Sequence, residues 1–269
     1  MTLRLEYTAR TTLPVEVEGL LPSAVAGKSP AEIERFEVFH GNRRLPLAEF
    51  FRVSGDGADG RIEFLGDLGG VHWIGAGLAA GEIHVLGNAG RHVGSEMTGG
   101  AITVEGDAGD WLGGQMAGGT IRVRGRAGDL VGAAYRGSPR GMTGGTIVVD
   151  GPAGSEIGHA MRRGLIAVGG AGDAAGFNML AGTILVLGPC GIRHGAGMRR
   201  GTIGLFGPQR PPLLPTFAYG CRFRPLFLPM LEKELRRLRA SASLPQCVDL
   251  YHGDLVSLGR GEILMPAFS

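Results

Sequence analysis

Residues Gly100–Gly132 read GAITVEGDAGDWLGGQMAGGTIRVRGRAGDLVG, a 19-residue pattern written nearly twice. Its strand frame is G-x-Ile-x-Val-x-G, carried by Gly100, Ile102, Val104 and Gly106 and again by Gly119, Ile121, Val123 and Gly125. Apolar residues alternating with variable ones have the period of two that a half-buried β-strand requires. Behind each strand follows G-x-x-G-x-x-x-G, as in Gly106-Gly109-Gly113 and Gly125-Gly128-Gly132. Glycine at such fixed offsets marks corners where the chain needs positive φ or close backbone approach.

The same frame extends in both directions. It begins at Gly60, Gly81, Gly100, Gly119, Gly145, Gly164, Gly182 and Gly201, with spacings of 21, 19, 19, 26, 19, 18 and 19 residues. One coil therefore takes about 19 residues, and the fourth carries an insertion around Tyr135 to Arg140. Met97, Met116, Met142, Met161, Met179 and Met198 form a further column and are expected to fill the interior, where a flexible unbranched side chain packs well. Coils that bury a face only against their neighbours stack as parallel strands, and parallel crossovers are right-handed in about 98% of cases. The predicted fold is all-β, a right-handed parallel β-helix of about eight coils over residues 59–207.

The flanks differ in kind. Residues 1–58 read as a small α+β segment capping the solenoid: Leu3 to Tyr7 alternates, Ser29 opens a helix through Phe36 with Pro30 in its first turn, and Gly41-Asn42 marks a hairpin. Residues 208–269 form a tail. PQRPPLLP stops any regular element, a helix is expected over 226–239 with Leu231, Leu235 and Leu238 on one face, and Leu255–Met265 is expected to close as a hairpin through Gly259-Arg260-Gly261.

Composition excludes several functions. Fifty glycines far exceed the average, yet 43% apolar residues are typical of a globular chain, so collagen and disorder are both poor readings. With 27 basic and 25 acidic residues there is no general electrostatic footprint for nucleic acid. No stretch approaches the ~20 apolar residues that span a bilayer. Cys190, Cys221 and Cys247 are widely spaced without a C-x-x-C pair, as expected of free thiols in a reducing cytoplasm.

Function on stacked coils should appear as columns of outward residues. Asp110, Asp129 and Asp173, with Asp67 and Asp107 nearby, could hold calcium or protonate a sugar, but Ser155 and Ile192 interrupt the column and aspartate beside glycine is ordinary turn chemistry. The seven histidines show no metal or triad spacing, so the chain is expected to contribute no catalytic residue and no metal site. Arg162, Arg163, Arg199 and Arg200 follow Met161 and Met198 two coils apart, roughly 10 Å by strand spacing, and form a candidate docking strip for an acidic partner or polyanionic cofactor. Arg136, Arg140 and Arg193 are candidates to join it. Outward strand positions change from Glu63, His84, Thr103 and Arg122 to Val148, Ala167 and Leu185, with Leu165, Leu187 and Phe206 nearby. That second half should not face water: it is covered either by the C-terminal helix or by a partner protein, and both make it an assembly surface.

The G-x-x-G-x-x-x-G coils resemble the β-helical C-terminal domain of the large chain of glutamate synthase and the C subunit of formylmethanofuran dehydrogenase. The flanks are similar to the second group. They are Leu13–Gly57, LPVEVEGLLPSAVAGKSPAEIERFEVFHGNRRLPLAEFFRVSGDG, and Leu214–Met230, LPTFAYGCRFRPLFLPM. The resemblance implies a non-catalytic scaffold subunit that binds no cofactor of its own. In archaea it implies a tungsten or molybdenum dehydrogenase. In methylotrophic bacteria it implies a formyltransferase/hydrolase complex that moves a formyl group from tetrahydromethanopterin to methanofuran and releases formate. The implied partners are amidohydrolase-like, formyltransferase-like and dehydrogenase B-like subunits. Twenty-five arginines against two lysines suggest a GC-rich bacterial genome and favour the second setting.

Overall fold

The structure, a computed structural model, describes residues 1–238 and 243–267. The N-terminal elements are β1 (Leu3–Tyr7), β2 (Val15–Glu16), α1 (Pro22–Val25), α2 (Pro30–Glu34), β3 (Glu37–His40), β4 (Arg43–Pro46), a 3₁₀ turn at Leu47–Glu49, and β5 (Phe51–Ser54). The repeats supply β6 (Arg61–Leu65), β7 (Val71–His72), β8 (Glu82–Leu86), β9 (Ala101–Val104), β10 (Thr120–Val123), β11 (Thr146–Pro152), β12 (Leu165–Gly170), β13 (Thr183–Val186) and β14 (Arg200–Leu205). The tail adds β15 (Ala218–Phe223), α3 (Phe227–Arg237), β16 (Val248–Gly253) and β17 (Arg260–Pro266).

The chain is mostly β, with one 13-stranded sheet ordered β15-β16-β17-β14-β13-β12-β11-β10-β9-β8-β6-β1-β5 and a small sheet ordered β4-β3-β2-β7. From β1 to β17 the large sheet is parallel, and its register keeps like residues together. Leu3, Ile62, Ile83, Ile102, Ile121, Ile147, Ile166, Ile184, Ile203 and Ile263 form one unbroken row. A one-residue slip would expose the whole row, so burial itself holds the register. A second line of parallel bridges joins Leu68, Ala89, Ala108 and Ala127, and another joins Ala171 to Cys190.

Two rows of the repeat explain its glycines. All six column methionines are fully buried. Met97, Met116, Met142, Met161 and Met179 each reach past the frame they precede to the opening glycine of the one after it, and Met198 reaches Gly261: a Cβ on Gly119 would lie 2.5 Å from Met97 Cε, and one on Gly145 2.7 Å from Met116 Cε. The second corner glycine faces an acceptor instead, since a Cβ on Gly128, Gly154 or Gly191 would lie 2.2, 2.1 or 2.0 Å from Oδ1 of Asp110, Asp129 or Asp173.

In the N-terminal segment, β3 and β4 form the hairpin expected at Gly41-Asn42. Ser29 caps α2 in a box with Glu32, but α2 ends at Glu34 rather than Phe36. The tail departs further from expectation. Arg260 and Gly261 do not form a turn, because they pair with Arg200 and Gly201 as the next parallel strand. The antiparallel hairpin is β16 with β17, and Leu255 sits in the loop between them. The helix expected over 226–239 is α3, and Arg239 lies outside the described residues.

α3 settles what covers the apolar half of the sheet. Its Leu228 and Leu235 pack with Val148, Leu165, Ala167, Leu185, Val248 and Leu264 in a second core, with Leu187 and Phe206 against it. That face is therefore closed within the chain and is not a free assembly surface. Arg122, expected among the solvent-facing positions, is only 8% exposed. Its guanidinium donates to the Leu238 carbonyl at the end of α3 and, at 2.7 Å, to Asp150 Oδ2. The helix ends where the charged half of the face begins.

Candidate docking site

The arginine strip is built by the repeat itself. Arg162-Arg163 and Arg199-Arg200 precede equivalent frame glycines, with Leu180-Ala181 in the repeat between them, and all four arginines are exposed. β17 extends the strip, since Arg260, also exposed, stands directly opposite Arg200 in the parallel pairing. Adjacent like charges repel at a spacing of about 4.8 Å. Neighbouring Glu262 is engaged by the Thr202 hydroxyl at 2.9 Å. A row of exposed guanidiniums suits carboxylate or phosphate groups. Arg260 escapes a reading by periodicity because the glycine corners end at Gly207 and the strand that carries it returns only after α3. Arg136 and Arg140 are exposed in the insertion. Arg193, at φ 63°, belongs to a corner column rather than to the strip.

The aspartate column is structural. Asp107 Oδ1 accepts from the Arg126 N–H at 2.8 Å, Asp110 from Asp129 at 3.0 Å, Asp129 from Ser155 at 2.7 Å, and Asp173 from Ile192 at 2.9 Å. Ser155 does not interrupt the ladder, because its hydroxyl accepts from the Asp173 N–H at 3.1 Å. Each side chain satisfies a backbone donor one repeat further on, which is why acceptor side chains recur there. Asp67 differs, closing its own turn by accepting from the Gly69 N–H two residues on at 3.2 Å.

A cluster not anticipated as a unit lies on the corner column. Trp73, His92 and Trp111 occupy equivalent positions at φ 63°, 62° and 62°. Trp73 and His92 stack at 3.9 Å, His92 and Trp111 at 6.0 Å, and Tyr135 from the insertion tilts against all three. The signal was present in the sequence, since the three are spaced 19 residues apart. Burial, then the charges of His72 and Arg91, push the His92 imidazole down to about 4. Both tryptophans of the chain are in this stack.

The other histidines do not converge. His194 is buried and neutral in character, with its pKa lowered by burial. Its Nδ1 accepts from the Ala175 N–H at 3.3 Å and its Nε2 donates to the Gly191 carbonyl at 2.9 Å. His84 pairs with Glu105 at 2.8 Å on the charged half of the sheet face, where Arg124 holds the same carboxylate at 2.6 Å. A groove runs there between the end of α3 and the strands, lined by Glu63, His84, Thr103, Arg122 and Arg237. Among the described residues no three His, Cys, Asp or Glu side chains are placed to hold a metal ion. The three cysteines are free, and burial raises the Cys190 thiol.

No family model matches the chain. The Fhc C subunit of the formyltransferase/hydrolase complex of Methylorubrum extorquens is 51% identical over 270 residues, covering 99% of each chain. The C subunit of tungsten-containing formylmethanofuran dehydrogenase 2 from Methanothermobacter thermautotrophicus is 42% identical over 87 residues. That match spans only 31% of this chain and 32% of the dehydrogenase chain. Among solved structures, the crystal structure of the Methylorubrum extorquens formyltransferase/hydrolase complex, FhcABCD, with methylofuran contains a chain that superposes with a TM-score of 0.91. The superposition covers 98% of this chain and 100% of the other at 34% identity. With nearly its whole length matched in both sequence and fold, this chain belongs to the Fhc C-subunit family of formyltransferase/hydrolase complexes.

Proposed function

We propose that this chain is the scaffolding C subunit of a cytoplasmic formyltransferase/hydrolase complex and has no active site of its own. In this reading the complex transfers a formyl group from tetrahydromethanopterin to methanofuran and releases formate, and its amidohydrolase-like, formyltransferase-like and dehydrogenase B-like subunits carry the chemistry. The observation that carries the proposal is 51% identity to an Fhc C subunit over 99% of both chains. The dehydrogenase alternative rests on similarity to under a third of the chain.

The architecture belongs to the same proposal: a right-handed parallel β-helix over 59–207, capped by 1–58 and followed by the tail 208–269. It is supported by the in-register isoleucine row, the second line of parallel bridges and the glycine corners. Arg162, Arg163, Arg199 and Arg200 serve as its docking strip for an acidic partner or polyanionic cofactor.

Co-expression of a tagged chain with the other three subunits of the same organism tests the assignment. One complex containing all four proteins by native mass spectrometry is the expected result, with formyl-transfer and hydrolase activity in the complex and neither in the isolated chain. Activity of the isolated chain, or its failure to enter the complex, would overturn the reading.

A further inference from the structure

Of the eleven large apolar side chains that the described residues leave exposed, eight lie between Ile192 and Leu258. The same region is electrically distinct. Residues 193–269 contain 11 basic and 5 acidic residues, whereas residues 1–192 contain 16 and 20. A nearly neutral chain thus carries its positive excess and its bare apolar surface at one end.

The exposed apolar residues border one structural element, which carries Arg224 just past its end. β15 is the terminal strand of the large sheet; only its β16 side is paired among the described residues, and five of its six residues are exposed. At one end of β15 is the loop between β16 and β17, where Leu255, Val256 and Leu258 are 58%, 80% and 48% exposed. At the other end is the start of α3, where Leu226 and Met230 are 87% and 73% exposed. The loop is held firmly although its apolar residues contribute no burial. Asp254, 4% exposed, accepts from the N–H groups of Gly197 at 3.0 Å and Val256 at 3.2 Å, and the Leu255 N–H donates to the Thr216 carbonyl at 3.0 Å. An ordered loop displaying aliphatic groups beside an open strand edge, about 20 Å long for six residues, is a surface suited to strand addition.

We propose that the outer edge of β15, from the loop carrying Val256 to the first turn of α3, receives an extended acidic and apolar segment of another protein of the complex. The proposal rests on the scaffold reading and names the surface that performs it. A second copy of this chain is disfavoured on physical grounds. Arg222 is held by Asp249 at 2.8 Å, but edge-to-edge pairing would put Arg224 of both copies on one shared edge, and the register shift between Tyr219 and Cys221 blunts open-ended pairing of like strands. An acidic segment meets the positive excess instead, and its apolar residues cover Tyr219 and the flanking aliphatics.

Two pairs of variants test this in the co-expressed complex: Val256→Glu with Leu258→Glu at the loop, and Leu226→Glu with Met230→Glu at the helix. All four positions are exposed, so the isolated variants should melt like the wild type, while one partner protein is lost or bound at least about tenfold more weakly. Leu86→Glu, at an exposed site on another strand, serves as the control and should leave assembly unchanged. Hydrogen exchange should slow at Tyr219–Phe223 on assembly. Full assembly of both variant pairs with unchanged affinity, or unprotected β15 amides in the intact complex, would overturn the proposal while leaving the scaffold reading in place. Failure of the wild-type chain to assemble at all would instead overturn the scaffold reading. Concentration-dependent dimers of the isolated chain that the variants abolish would assign the edge to a second copy and overturn the heteromeric proposal.

Discussion

A Cβ on Gly119 would lie 2.5 Å from Met97 Cε and 2.8 Å from the carbonyl oxygens of Gly99 and Gly100, on a backbone with φ of +85°. The methionine can move but the carbonyls cannot, so Gly119→Ala should cost about 2–4 kcal/mol. Trimming Met97 to alanine in addition should not restore that loss. Gly70→Ala, with nothing within 4 Å and no positive φ, should change stability by less than about 0.5 kcal/mol in the same denaturant titration. His92 makes a residue-scale prediction of another kind. Its folded pKa of about 4 is below the ordinary value of about 6.5, so the unfolded chain takes up the proton first as pH falls. Its contribution is therefore fully present above pH ~6.5 and is lost as pH falls toward ~4. His72 and His194, also lowered by burial, act in the same direction. His92→Phe keeps a stacking ring without a titrating group, and the fall in Tm between pH 7.5 and 4.5 should be smaller in this variant than in the wild type.

At the scale of elements, α3 is held by an apolar face and one polar latch. Leu235 is fully buried, and Leu235→Ala should cost about 2–5 kcal/mol by the usual cavity penalty. Arg122 joins the end of α3 to the sheet through Leu238 and Asp150. Arg122→Ala removes a charged hydrogen bond to a carboxylate that is 31% exposed and should cost about 1.5–3 kcal/mol. Hydrogen exchange should locate the effect, with amides of Leu231–Arg237 exchanging faster and those of β8 and β9 unchanged. The two losses are expected to be less than additive, since each loosens the same helix.

Across the whole molecule, the row of Arg162, Arg163, Arg199 and Arg200 continues into Arg260. Replacing all five with alanine should weaken binding of a polyglutamate probe and flatten its salt dependence, measured by titration between low and physiological ionic strength. The melting temperature should hold or rise slightly, because the Arg200–Arg260 repulsion disappears with them. Unchanged affinity and salt slope would remove the strip from the proposed function.

The strand frames, the corners and the buried methionine column are legible in the sequence because each repeat solves the same local problem, and a periodic solution leaves a periodic trace. Stacked corners also explain why the aspartates read as turn residues: each serves the backbone one repeat further on. No period marks what happens once only. That Arg260 falls beside Arg200, that Arg122 is buried beneath the end of α3, and that β15 is left as an open edge follow from the tail folding back over the sheet. Those contacts join residues far apart in the chain, and burial and long-range pairing, not local pattern, decide them.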